Sequence, residues 1–193
     1  MRITGGTLRG RRLRMPPGTV RPTMDRMRES IFGMLGPLDG VRFLDLFGGS
    51  GAVALEAASR DAERVVTVER DKRNQKVLRE NISLSEKTIE LVLLPVEQYV
   101  KRGADAFDII YVDPPFDYGH SGDLLSRIGQ SRLVHDGTLV LIHHPGEDLG
   151  SPDGLRHSQT RRYGKSHLDV FEATEVSQNP SHGSSRDEGT DGA

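Results

Sequence analysis

Asp113-Pro114-Pro115-Phe116 puts a carboxylate, two rigid backbone carbonyls and an aromatic ring within four residues. The run before it, Phe107-Asp108-Ile109-Ile110-Tyr111-Val112, has the apolar character of a buried parallel strand. Two prolines fix φ and supply no N–H, so the strand has to stop there. The residue ahead of each proline is held extended, which makes a stiff corner with its carbonyls facing outward. A carboxylate beside a proline carbonyl gives two acceptors with no donor between them. That pair suits the two hydrogens of an exocyclic amino group on a planar base, with Phe116 placed to stack on its face. Asp-Pro by itself is also an ordinary turn opener, so a second element has to decide.

The second element is Arg42-Phe43-Leu44-Asp45-Leu46-Phe47, a short apolar strand that runs into Gly48-Gly49-Ser50-Gly51. Good helix formers follow, from Ala52 to Ala58. Strand, glycine turn and helix form the first unit of a doubly wound nucleotide-binding fold. The glycines let the backbone pass close under a ligand, where a Cβ would collide. Glu69 ends a second strand, Arg64 to Val68, and lies 18 positions past Gly51. An acid there is placed to accept both ribose hydroxyls of an adenosine-containing cofactor. Gly49-Ser50-Gly51-Ala52-Val53-Ala54 also fits the loose dinucleotide fingerprint, which does not separate NAD from S-adenosylmethionine. The corner at Asp113 separates them, because hydride transfer has no evident need of a Pro-Pro wall beside a base-binding carboxylate. The combination points to methylation of an amino group.

The rest of the chain has to carry these two elements. Its 193 residues suffice for one domain with a substantial core. No cysteine is present, which excludes disulfides and zinc–thiolate sites and suits a cytoplasmic location. No apolar run approaches membrane-spanning length, and the N-terminus has no signal-peptide core, so no membrane partner is expected.

A net charge of −2 conceals a strong asymmetry. Residues 1–30 hold eight arginines against Asp25 and Glu29, a surplus of six positive charges, and the remainder is correspondingly acidic. Such a division points to a polyanion met by one end of the molecule. Arginine without lysine in that segment suits forked phosphate contacts and stacking on bases. Met1 to Leu13 reads as two short strands around a glycine turn, with Arg9, Arg11, Arg12 and Arg14 as the expected RNA contacts. Arg21-Pro22-Thr23 then opens a helix from Met24 to Leu35, with Met27, Ile31, Met34 and Leu35 on one face.

Three stretches together resemble a known family. Arg21-Pro22-Thr23-Met24-Asp25-Arg26-Met27-Arg28-Glu29-Ser30-Ile31-Phe32, then Asp45 to Gly51, then Asp113 to Phe116 are similar to the bacterial 16S ribosomal RNA guanine-N2 methyltransferases of the RsmD type. The similarity runs from Met1 to about residue 172. It implies a Rossmann-like class I fold, a mostly parallel seven-stranded sheet with an antiparallel C-terminal edge pair and a small N-terminal hairpin and helix extension. It implies S-adenosylmethionine as cofactor and one guanosine of small-subunit rRNA as substrate, met within a ribosomal assembly particle by a monomer. Asp113, Pro114, Pro115 and Phe116 become the catalytic corner. Asp45 would hold the cofactor's amino-acid end and Glu69 its ribose, over Gly48, Gly49, Ser50 and Gly51. The helix opened by Thr23 would close over it. Tyr118, in the loop after the corner, would border the RNA.

Two departures from the family pattern bear on the site. Pro95 stands where the family often offers a small polar residue to the adenine, which transfers that contact to Val96 N–H and Glu97. After the fifth strand, Thr138 to Ile142, the family tends to carry an acid, and this chain has His143-His144. Adjacent strand residues point to opposite faces, so those two histidines and His157 are not expected to hold a metal.

The remaining elements follow from pattern. Asp71 caps a helix through about Leu84, Ile89 to Leu94 is a strand, Val96 to Arg102 a short helix, and Asp123 to Ser131 another helix. Leu155 to Arg162 and His167 to Glu175 form the edge pair. This divides the chain into a basic N-terminal segment (1–36), a methyltransferase domain (37–176) and a polar tail (177–193) expected to be disordered. Alternatives of other classes are an NAD-dependent oxidoreductase, a DNA adenine or protein amide methyltransferase, and an RNA-binding protein without catalysis.

Overall fold

The computed structural model describes residues 1–15 and 23–174. Arg21, Pro22 and the polar tail lie outside them. Five strands run parallel: Arg42–Leu46 (β1), Arg64–Val68 (β2), Ile89–Val92 (β3), Ile109–Val112 (β4) and Leu139–His144 (β5). Leu155–Tyr163 (β6) and Ser166–Ala173 (β7) add an antiparallel pair, giving the order β3-β2-β1-β4-β5-β7-β6. The helices are Thr23–Leu35 (α1), Ala52–Ser59 (α2), Lys72–Ile82 (α3), Val96–Arg102 (α4) and Ser121–Gly129 (α5). This is the seven-stranded, mostly parallel class I arrangement that the resemblance implied.

The central strands are buried on both faces, as parallel sheets flanked by helices require. Phe43, Val65, Tyr111 and Leu141 face one core, shared with Leu55 and Ala58 of α2, Ile31 and Phe32 of α1, and Ile3 and Leu13. Their neighbours Leu44, Val66, Ile110 and Ile142 face the other, against Val96 and Val100 of α4 and Leu124 and Ile128 of α5. Each fully buried side chain of this size contributes roughly 1.5–3 kcal/mol, so the period-two register is strongly enforced.

The N-terminal segment departs from the expected pair of strands. A single bridge, Arg2 to Arg12, joins its two halves, helped by Ile3 N–H to Arg11 O at 3.0 Å. The reason is that Gly5-Gly6 leaves the ladder to dock on α2. Gly6 has φ 72°, and a Cβ there would lie 1.7 Å from the Ser59 carbonyl oxygen. Thr7 N–H donates to that same oxygen at 2.7 Å, which satisfies a carbonyl at the open end of the helix.

Glu56 of α2 is fully buried and anchors the segment. It accepts from Thr4 N–H at 2.9 Å, Gly5 N–H at 2.8 Å, Arg28 Nε at 3.2 Å and Arg60 Nε at 3.0 Å. Arg28, which the sequence reading counted among the outward basic charges, is therefore an internal counterion. It is 3% exposed and also bonds Asp25 and the Arg2 carbonyl. Arg2, Arg9, Arg11, Arg12, Arg14 and Arg26 remain exposed.

Candidate active site

β1 and β4 are neighbours whose connections leave in opposite directions, and parallel sheets open a ligand crevice beyond the strand ends at such a point. A cavity of about 480 Å³ lies there, within the range of small-molecule sites. Asp45, Gly48, Gly49, Ser50, Glu69, Asp113, Pro114, Pro115, Phe116 and His143 line it, with Met27, Ile31 and Phe32 of α1 as an apolar wall.

The glycine turn is built by close approach. Gly48 N–H donates to Val68 O at 2.8 Å, and a Cβ on Gly48 would lie 2.2 Å from Thr67 Oγ1. Gly51, with φ 75°, starts α2 without a side-chain cap. Asn81 braces the turn, donating from Nδ2 to Ser50 O at 2.8 Å and to Arg14 O at 2.9 Å. It therefore links the basic segment to the floor of the cavity.

Glu69 is 7% exposed, and its carboxylate plane is fixed by two backbone donors. Gly49 N–H reaches Oε2 at 2.8 Å and Asp71 N–H reaches Oε1 at 2.7 Å. A carboxylate has capacity for about four hydrogen bonds, so acceptor positions remain for ribose hydroxyls. Asp45 is 1% exposed and accepts from Thr67 Oγ1 at 3.2 Å. Burial pushes its carboxyl up to about 7, Asp113 and Glu69 nearby push the same way, and the Thr67 bond opposes them.

Asp113 follows directly on β4, its N–H bonded to Leu46 O at 3.3 Å. Its Oδ1 lies 2.8 Å from His143 Nδ1. The Pro115 carbonyl accepts Tyr118 N–H at 2.9 Å, which leaves the Pro114 carbonyl as the backbone acceptor of the corner. Phe116 is 42% exposed and sets its ring at 65° to that of His143, centroids 5.5 Å apart.

Glu97, Tyr118 and Arg14, expected at the adenine or the RNA, have protein partners outside the lining of the cavity. β3 ends at Val92, two residues short of its expected end; the Val96 side chain packs into the core, whereas the contact expected of Val96 is that of its backbone N–H. Glu97 instead accepts the Tyr118 hydroxyl at 2.5 Å. Tyr118 is half-buried edge-on against Phe47, so it braces the loop after the corner rather than presenting a free ring. Arg14 reaches Glu80 at 2.6 Å while staying 73% exposed. Thr23 opens α1, and its side chain is outside the described residues.

His143 faces the cavity, whereas His144 and His157 meet Asp169 on the other face, at 3.1 and 3.5 Å. Among the described residues no group of three or more His, Cys, Asp or Glu is arranged to hold a metal. His143, Thr67 and Asn81 were not assigned roles from sequence. Strand alternation from Asp113 and Asp45 marks the faces of the first two, while Asn81 carried no local signal.

With this geometry, the comparisons with known proteins agree. Residues 1–172 match the family described as conserved hypothetical protein 95. The chain is 32% identical over 152 residues to the ribosomal RNA small subunit methyltransferase D of Escherichia coli strain K12, covering 77% of this chain and 76% of that one. A hypothetical protein of Thermus thermophilus superposes with a TM-score of 0.76 at 35% identity, over 90% of this chain and 99% of the other. A structure complexed with S-adenosylhomocysteine shares the fold at a TM-score of 0.63 and 15% identity, over 80% of this chain and 50% of that one. The oxidoreductase alternative finds no support among these relatives. The chain belongs to the matched family, that of the small-subunit ribosomal RNA methyltransferases D.

Proposed function

We propose that the chain moves a methyl group from S-adenosylmethionine to the exocyclic N2 of one guanosine in 16S rRNA. It would do so as a cytoplasmic monomer, on RNA already within an assembling ribosomal particle. One observation carries the reading: the glycine turn with Glu69 and the Asp113–Phe116 corner open into the same cavity. The residues present fit the cofactor. Glu69 is oriented for a ribose, and Asp45 is a buried carboxylate able to face an ammonium group.

The bound cofactor supplies an electrophilic methyl group on a sulfonium. The chain's task is alignment and electrostatics. The N2 lone pair of free guanine is delocalised into the ring. Hydrogen bonds from N2–H to the Asp113 carboxylate and the Pro114 carbonyl favour a pyramidal nitrogen whose lone pair is available. The same acceptors stabilise the positive charge that grows on N2, and Asp113 takes the proton it then sheds. Phe116, exposed at the mouth, stacks on the flipped base. Arg9, Arg11 and Arg12 meet phosphates at one side of the site.

The test is label transfer from S-adenosylmethionine to small subunits isolated from a strain lacking the gene, followed by mass spectrometry of the nucleosides. N2-methylguanosine is expected, and subunits from the parent strain should take up no label. Methyladenosine, or label confined to protein, would overturn the reading.

A further inference from the structure

We infer that His143 is a positioning residue for the methyl-accepting corner. Its Nδ1–H holds Oδ1 of Asp113, so that the other carboxylate oxygen is presented to the base. The inference rests on the methyl-transfer reading above and names a residue that the reading does not use.

β4 and β5 pair in parallel with Val112 opposite Ile142, which brings the next residues of both strands, Asp113 and His143, side by side on one face. The bond between them is 2.8 Å long, and the side chains are 20% and 7% exposed. Nε2 of His143 is buried and has no partner among the described residues. A buried N–H without an acceptor is rarer and costlier than a bare lone pair. The proton therefore sits on Nδ1 and is donated to Asp113, because the bond made by one ring nitrogen sets the tautomer of the other.

This donor arrests the carboxylate. The Asp113 backbone is already tied to Leu46, and the bond at Oδ1 removes rotation about the last side-chain torsion. Both acceptors of the corner are then oriented before a base arrives, which is where electrostatic preorganisation gains its effect. The edge contact with Phe116 lets the same imidazole fix the ring that stacks on the base. A side chain that merely filled the space would do neither.

Two substitutions in the full chain separate positioning from packing. His143→Phe keeps an aromatic ring and removes the donor, whereas His143→Asn places an amide N–H near the former Nδ1. Single-turnover transfer to unmethylated small subunits should fall about tenfold to a hundredfold in H143F, the scale of a misplaced reacting group. H143N should recover most of that loss, and S-adenosylhomocysteine affinity should stay within about twofold in both. Nitrogen-15 spectra of the imidazole should show a protonated Nδ1 that changes in D113N.

Wild-type turnover in H143F would overturn the inference, as would H143N no better than H143F, or a proton found on Nε2. If the wild-type protein methylates no RNA, the proposed function falls instead, and the nitrogen spectra still decide whether His143 holds Asp113.

Discussion

The two faces of the sheet, compared at the same strand ends, differ by a single residue step. On one face stand Asp45, Thr67, Glu69, Tyr111, Asp113 and His143, while on the other stand Leu46, Val66, Val68, Val112 and Ile142. Backbone, depth and strand order are shared, so only alternation separates a polar site from a dry core. The polar face tolerates buried carboxylates because each has donors supplied to it. Glu69 has two backbone N–H groups, Asp45 has a hydroxyl and Asp113 an imidazole. Polar groups in the interior are tolerable only when bonded, and the cavity is where the turn and the strand ends meet that condition.

The sharpest way to break this comparison is at Asp45, the least well compensated of the three. Its carboxyl is raised to about 7 in the fold against an ordinary 3.8. Between these values the folded state keeps a proton that the unfolded chain has released, so stability falls as pH rises through that window and levels off above it. The full difference is on the order of 4 kcal/mol. Asp45→Asn should lose this dependence, and urea unfolding of both proteins from about pH 4 to pH 8 should show curves that separate as pH rises. Parallel curves would show that Asp45 ionises as freely inside as outside. The cofactor's ammonium group would favour the charged carboxylate, so binding near neutral pH should release protons, visible as buffer-dependent calorimetric heats.

Asp113→Ala should lower methyl transfer by roughly two to three orders of magnitude, the scale of one preorganised electrostatic group. S-adenosylhomocysteine affinity should barely change. Turnover close to wild type would remove Asp113 from the chemistry.

At Glu69 the expected loss is in cofactor affinity, roughly 1.5–3 kcal/mol for each charge-assisted bond to a ribose hydroxyl. Glu69→Ala should raise the dissociation constant well over tenfold and leave RNA affinity alone. The opposite pattern would assign the residue to the RNA.

The smallest effect belongs to the exposed Arg9, Arg11 and Arg12. Replacing Arg9, Arg11 and Arg12 with alanine should flatten the salt dependence of substrate binding by just under one unit per residue. An unchanged slope would make them an ordinary solvated surface.

Much of this was readable from the sequence, where the signal was local. β2 and α4 run over their expected residues, and the two prolines end β4 at Val112 as their chemistry requires. The glycine turn, Glu69 and Asp113 converge as the fold class demands. The misreadings arise where the deciding partner is distant in sequence. Arg28 looks like surface charge until Glu56, on another helix, is seen to bury it. The expected N-terminal strands reduce to one bridge because α2 captures Gly5 and Gly6. α5 begins at Ser121, two residues before its expected start. Ser121 Oγ donates to Glu147 across 26 residues. β5 extends through His143 and His144, since β7 pairs with both. β3 stops at Val92 rather than Leu94, a boundary that no residue type announces.

The Glu56 anchor also fixes an order of assembly. Thr4 and Gly5 close on it across 52 and 51 residues, and loops of that length form only after shorter ones have reduced their entropic cost. Thr4 and Gly5 thus have no docking place until α2 has packed on β1 and β2. Asn81, which holds Arg14, arrives later still. The placement of the exposed arginines on the body of the molecule is therefore tied to α2 and to Asn81, which also braces the turn at the floor of the cavity.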